Sequence, residues 1–519
     1  MNKLFTSAKS YIVNNKGLFI VSGLYFLFIY LSSFNKSYGL FIDEFYYLAC
    51  ANHPALGYVD HPPLAPFILM ILKLFIGSSI YAIRLLPAIT AGVTIFLSGK
   101  LAAKIGGGKF AQILSAVAAA GIPTLAVFSS LYTMNVFEPL LAIIFIMLII
   151  DMVKNNNPQK WISIGIIMGI GMMNKHTFAL VIISVLAALV LTGRWKIFMN
   201  KWFFWGAAIA ALIFIPNIIW QIANNFPSLE FYRNISTGKN IYTPPIPFII
   251  GQLVSMSPFV FPVWMAGLLY LLFSKRYREF NYISVFFLIS FISILISGTS
   301  RPDRLLYIYP IMIPGGALFF ENLFNKYKLK FLKPVLVLFV LAGLVISMPI
   351  ILPYFSYSTV ASYVSKLGIN TEIEKGKKPP LPQILADRIG WEEKVQLVIK
   401  AYNTLSPEEK SRAIIACNNY GDAGAVELYG EGSNLPQVVC AHNTYYLWSK
   451  NRLKGDIILQ LTKIDYIDGF KKRFDSVKVT DGEYTNKFVS GHENNLRVLI
   501  CYGPKIPLSA MLEKSKVYH

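Results

Sequence analysis

Over residues 1–352, long apolar runs alternate with short polar connections rich in Lys and Arg. The first run, 17–34, follows the basic start MNKLFTSAKSYIVNNK. It is too long for the apolar core of a signal peptide, and no small-residue cleavage site follows, so it reads as a retained first span. Counting runs able to cross about 30 Å of hydrocarbon gives about eleven helices. After the first, one begins near Arg84, and others cover 110–129, the run ending in Asp151 and Lys154, 161–173, 178–192, 203–220, 248–273, 282–296, 305–320 and 334–352. At 1.5 Å per residue, 161–173 covers only about 20 Å, which predicts a short or partly submerged helix. The run 64–76 is shorter than a span and flanked by prolines and a glycine, which predicts a helix lying along the membrane surface.

Basic residues fall at every second connection: Lys100, Lys104 and Lys109; Lys154 and Lys160; Arg194, Lys196 and Lys201; Lys275, Arg276 and Arg278; Lys326, Lys328, Lys330 and Lys333. The positive-inside rule puts these connections and the N-terminus in the cytoplasm, and everything after Pro353 outside. The expected organisation is a transmembrane catalytic domain over 1–352 and an extracytoplasmic domain over 353–519. Past the linker EKGKKPPLPQ, 392–403 has helical spacing and SPEEK has the cap chemistry of a helix start. AIIAC, QVVC, DIILQL and LRVLICY read as buried strands, which predicts an α/β layer. Cys417, Cys440 and Cys501 sit in these strands as apolar thiols, and a Cys417–Cys440 disulfide stays open. No repeat of fixed period is visible.

Composition sharpens the class. Of 519 residues, 55% are hydrophobic and 14% charged, which excludes an ordinary soluble domain. The net charge of +21 is spread between apolar runs rather than gathered on one face, so it reads as membrane topology and not as a nucleic-acid surface. With four cysteines, no CxxC pair and no HExxH helix, no metal site is implied, although two outer carboxylates are able to hold a divalent cation.

The inferred topology gathers a small set of ionisable residues at the outer boundary. Asp43, Glu44 and Glu138 supply carboxylates; Arg84, Lys175, His176, Arg301 and Arg304 supply cations and hydrogen-bond donors. Charge against hydrocarbon is costly, so such residues either pair to secure helix ends or face a cavity with a task. A carboxylate there can take a proton from an attacking hydroxyl, and cations can stabilise a departing phosphate. Being neighbours, Asp43 and Glu44 point apart, so that one works while the other supports. Tyr46, Tyr47 and Tyr58 either pack on a sugar or anchor the membrane interface, and His53 and His61 offer a transition-metal pair, against which their proline-rich turn favours packing or hydrogen bonding.

The stretches IDEFYYLA and GYVDHPPL, followed in order by IRLLPAITAG, YTMNVFEPLL, GIGMMNKHT, RPDRLLYIYPIMIPGGAL, ADRIGWEE, NNYGDAGAVELYG and HNTYYLW, are spread along most of the chain. Together they resemble the GT-C membrane glycosyltransferases, specifically the dolichyl-phosphate-mannose protein mannosyltransferase-like family, which also holds aminoarabinose transferases. The resemblance implies a GT-C fold, an α-helical polytopic membrane protein with a C-terminal extracytoplasmic α/β domain. It further implies inverting transfer from a polyprenyl-phosphate sugar to a hydroxyl of a protein, lipid or glycan, without a nucleotide, at the outer face of a membrane, the bacterial inner membrane being expected. Asp43 then matches the general base with Glu44 in support, and Glu138 the second acidic position. Arg84 and Lys175, with His176 beside them, match holders of the lipid phosphate, and Arg301 and Arg304 match a basic loop near the headgroup. Tyr46, Tyr47, Tyr58 and His61 are the expected substrate pocket. A flippase for a lipid-linked sugar, or a polysaccharide polymerase or ligase, shares many of these features; placement of the charges at the boundary rather than along a path favours the transferase.

Overall fold

The computed structural model describes residues 11–236, 242–298, 301–371 and 379–519. The first ten residues of the basic start, part of the connection around Asn240 and the lysine cluster of EKGKKPPLPQ lie outside them. The chain forms two compact units, each discontinuous in sequence. The first is built from Met1–Phe34, Tyr81–Ile219 and Ile241–Tyr354, the second from Asn35–Ile80, Trp220–Asn240 and Phe355–His519.

The first unit is helical. Among the described residues six helices are long and apolar enough to cross a membrane, among them Ile80–Lys104, Lys201–Ala223 and Leu332–Ile351, and shorter apolar helices accompany them. Only 11% of the most apolar window of Lys201–Ala223 and 17% of that of Leu332–Ile351 is packed against protein. Helices apolar on all sides yet so little covered are stable only in hydrocarbon, so this is a multi-pass membrane protein. Glu138 starts the helix Phe137–Lys154, and Asp151 near its end pairs with Lys104. Thirteen residues separate the two acids, about 20 Å along the axis. The charges thus cap an apolar stretch at both ends.

Three expected spans are not continuous helices. The run 110–129 is two helices, Lys109–Ala120 and Pro123–Ser129, bent by 68°. Pro123 forces Ile122 into extended backbone, which ends the first helix at Gly121. The run 248–273 is likewise Pro245–Ser255 and Phe261–Phe273, because Ser257 is left-handed (φ +72°) and Pro258 withholds a backbone N–H between the halves, while Pro262 sits in the first turn of the second helix. The run 305–320 begins as the 3₁₀ turn Pro302–Ile308 and becomes helical as Tyr309–Lys326. Helices Phe261–Phe273 and Tyr309–Lys326 approach through glycines: a Cβ on Gly316 would land on the Val263 carbonyl, and one on Gly267 would lie 2.7 Å from the Gly316 nitrogen.

In the second unit, strands β1 (Ala413–Cys417), β2 (Val438–Cys440), β3 (Ile457–Lys463), β4 (Phe474–Val479) and β5 (Leu496–Pro504) form one sheet of order β2-β1-β3-β5-β4. The β2-β1-β3 part is parallel; β5 runs antiparallel to β3 and β4. The expected α/β layer is present, as are the helix Trp391–Asn403 and the Ser406/Glu409 capping box. Strand β4, FDSVKV, was not expected. Cys417 and Cys440 stand opposite one another in the β1–β2 register, and all four cysteines are free thiols, so the disulfide left open is not formed. Val59, from the connection between the first two apolar runs, shares a core with Ile414, Val439, Tyr446, Leu512 and Tyr518. That burial is why residues near position 60 belong to a unit whose sheet lies more than 350 residues later.

Candidate active site

The helix Ile42–Asn52 starts after Phe41, whose extended backbone turns the chain into it. Glu44, fully buried, reaches back to accept the Phe41 N–H at 2.8 Å, satisfying a donor the helix start would otherwise leave open. Adjacent helical positions point about 100° apart. Asp43 therefore faces another way, and its Oδ1 accepts the Tyr420 hydroxyl at 2.8 Å. The divergence of the two acids expected from the sequence is present.

Around this carboxylate the second unit is aromatic. The Tyr420 ring packs on Tyr46, centroids 4.8 Å apart, and on His442 at 4.6 Å. The Tyr46 hydroxyl lies 2.7 Å from Asp60 Oδ1 and 2.6 Å from Thr444 Oγ1. His61 stacks on Tyr47 at 4.7 Å and packs against Tyr46 and Tyr58, with Nδ1 assigned as donor to the Pro62 carbonyl at 2.9 Å. Tyr58 spends its hydroxyl on the Cys50 carbonyl. All four side chains are buried, so as they stand they pack inside the unit.

The remaining expected residues lie in the first unit. Lys175 leaves the end of helix Lys160–Asn174 in extended backbone and donates to Glu138 Oε2 and Asn135 Oδ1, each at 2.9 Å. Asn174 ties the same turn to the Met134 carbonyl at 3.0 Å. His176 Nε2 pairs with Asn217 Oδ1 at 3.0 Å. Arg301 clamps Asp303 with two bonds, 2.9 and 3.2 Å. Burial pushes the Asp303 carboxyl up, but Arg301 first, with Lys175 and Arg304 adding to it, outweighs burial and holds the group below its ordinary range. The structure thus brings Glu138 and Lys175 into contact and sets Asp303 within the field of Lys175, Arg301 and Arg304. Gln252 fixes the adjoining turn, donating to the Pro302 carbonyl at 3.0 Å and accepting from Tyr309 at 2.7 Å. Arg84 is buried, 1% exposed, in the second turn of Ile80–Lys104.

Several contributors escaped the sequence reading. Asn135, Asn174 and Asp303 lie inside YTMNVFEPLL, GIGMMNKHT and RPDR, beside Glu138, Lys175 and Arg301; Asp60 lies inside GYVDHPPL. Tyr420 stands in NNYGDAGAVELYG, a segment that forms the helix Tyr420–Tyr429, capped by Asn419. Among the described residues no group of three or more His, Cys, Asp or Glu side chains is placed to hold a metal ion.

Residues 60–220 match the family model described as dolichyl-phosphate-mannose-protein mannosyltransferase. No curated protein matches the chain by sequence. As a structure it is similar to ArnT from Cupriavidus metallidurans bound to undecaprenyl phosphate, at 12% identity and TM-score 0.60, over 93% of this chain and 97% of ArnT. The apo state of ArnT matches with TM-score 0.59 at 12% identity, over 95% and 98%. The oligosaccharyltransferase of Archaeoglobus fulgidus, in its apo form, matches at 13% identity with TM-score 0.50, over 97% of this chain and 77% of that one. The chain has the GT-C fold.

Proposed function

We propose that the chain is an inverting glycosyltransferase that moves a sugar from a polyprenyl phosphate to a hydroxyl acceptor at the outer face of a membrane. The observation that carries this reading is the mannosyltransferase family match over 60–220, within a chain that follows, over nearly all its length, the fold of a protein captured with undecaprenyl phosphate. In the reaction Asp43 takes the acceptor proton, the freed oxygen attacks the anomeric carbon from the face opposite the phosphate, and the bond from that carbon to the phosphate oxygen breaks. The polyprenyl phosphate leaves with the electron pair, and one displacement inverts the anomeric centre.

Lys175 and Arg84 hold the lipid phosphate and stabilise its growing charge, with His176 beside them and Arg301 and Arg304 drawing in the headgroup. Glu138 keeps the Lys175 ammonium in place. Glu44 supports Asp43 by capping its helix. No nucleotide enters, the N-terminus is cytoplasmic, and the membrane is a bacterial inner membrane.

The test incubates purified protein with a panel of polyprenyl-phosphate sugars, with and without chelator. Donor should be consumed; Asp43→Asn should lower kcat by a factor of about a hundred or more, and Lys175→Ala should raise the donor KM at least about tenfold. Movement of intact donor across a vesicle bilayer without consumption would replace this reading with a flippase. Loss of turnover on chelation would add a divalent cation.

A further inference from the structure

We propose that Tyr420 is a positioning residue for the general base: the α/β part of the second unit holds Asp43 in its working orientation through the Tyr420 hydroxyl. The inference rests on the reading of Asp43 as that base. Its geometry lies wholly within one unit. The Tyr420 hydroxyl donates to Asp43 Oδ1 at 2.8 Å across 377 residues of sequence. A bond to one carboxylate oxygen restricts rotation about Cβ–Cγ and so sets the direction in which the other oxygen accepts a proton. Charge-assisted bonds of this kind are among the stronger ones available.

The hydroxyl is itself held from two directions. Its ring packs on Tyr46, which is fastened by Asp60 and Thr444, and on His442, whose Nε2 lies 2.8 Å from the His519 carbonyl. The backbone beneath is fixed by close approach. Tyr420 opens the helix Tyr420–Tyr429, whose first five residues carry Gly421 and Gly424 on the face toward Ile42–Asn52. A Cβ on Gly421 would fall on the Ile42 side chain, and one on Gly424 would lie 2.8 Å from both the Phe45 Cβ and its carbonyl oxygen. Only glycine lets the two helices come this near. The pair spaced i, i+3 therefore reads as the device that brings a tyrosine on one helix to the second residue of the other.

The test is a double-mutant cycle on the full chain with a radiolabelled polyprenyl-phosphate sugar, so that residual turnover is measurable. Tyr420→Phe keeps the ring contacts and removes the hydroxyl. It should lower kcat about ten- to a hundredfold with the donor KM unchanged and the thermal midpoint retained. In the Asp43→Asn background the same change should alter residual turnover by less than about twofold, because the group being oriented is gone. Equal losses in both backgrounds, or none in either, would overturn the proposal while leaving Asp43 as the base. An Asp43→Asn protein as active as wild type would overturn both. Gly424→Ala, assayed where circular dichroism shows it folded, is the second variant: its kcat loss should largely vanish in Tyr420→Phe, and a loss that persists undiminished there counts against the coupling.

Discussion

At the scale of single residues, the acids of the two units are held by different means. Glu138 is neutralised by an ammonium 2.9 Å away, whereas Glu44 is spent on a backbone donor and Asp43 takes a phenol. Asp422, two residues from Tyr420, shows the opposite treatment. Burial, with the Glu493 charge adding to it, pushes its carboxyl up to about 7 against the pull of Lys394 and the Asn419 amide. The folded-state value lies above the unfolded one, so the contribution to stability is full below the ordinary carboxylate range and is lost as pH rises toward and through about 7. Thermal midpoints measured from pH 4 to pH 8.5 should therefore show Asp422→Asn gaining on the wild type as pH rises, then levelling above neutrality. A constant difference across the range would show that the carboxyl does not titrate there.

At the scale of elements, glycine carries more of the architecture than its helix propensity suggests. In the first unit a Cβ at Gly316 has nowhere to go except the Val263 carbonyl, while a Cβ at Gly251 meets nothing within 4 Å. Gly316→Ala should force the helices Phe261–Phe273 and Tyr309–Lys326 apart at a cost on the order of 1–3 kcal/mol. Gly251→Ala should be neutral or stabilising by about 0.4–1 kcal/mol. Unfolding of the two variants in the same detergent checks both, and equal midpoints would sink the close-approach account. The same property explains what the sequence concealed. AIIAC and LRVLICY are legible because continuous apolar runs of that length suit buried strands. FDSVKV is not, since three of its six residues, Asp475, Ser476 and Lys478, are polar and exposed on a strand at the sheet edge, next to β5 alone. The helix Tyr420–Tyr429 is hard to read locally because Gly421 and Gly424 weaken its helix signal, and their reason lies in a helix far away in sequence. The broken runs 110–129 and 248–273 were visible as prolines, but hydropathy averaged over a window hides them.

At the scale of the whole molecule, local sequence locates apolar runs well and says little about which connections fold together. Depth alone suggested that Glu138 and Lys175 share a boundary, and they do meet; nothing local marks Tyr420 as the partner of Asp43. The same holds for unit membership. Val59 is buried with Ile414 and Val439, Ser228 donates to the Val59 carbonyl at 2.8 Å, and Lys516 pairs with Glu230 at 2.7 Å. The α/β layer is therefore completed by two segments from between the apolar runs. A fragment covering 353–519 alone would expose the sites of Val59, of the Phe45 face against Gly424 and of Phe231. Losing burial of large apolar side chains at roughly 1.5–3 kcal/mol each removes an amount comparable to the whole stability of a typical domain. Expressed alone, the fragment should be aggregated or only partly folded, with weak dispersion of its amide NMR resonances. Joined by a flexible linker to residues 35–80, it should gain a cooperative melt, and Val59→Asp in that fusion should abolish the gain. A fragment that melts cooperatively without residues 35–80 would show that the layer needs only its own helices.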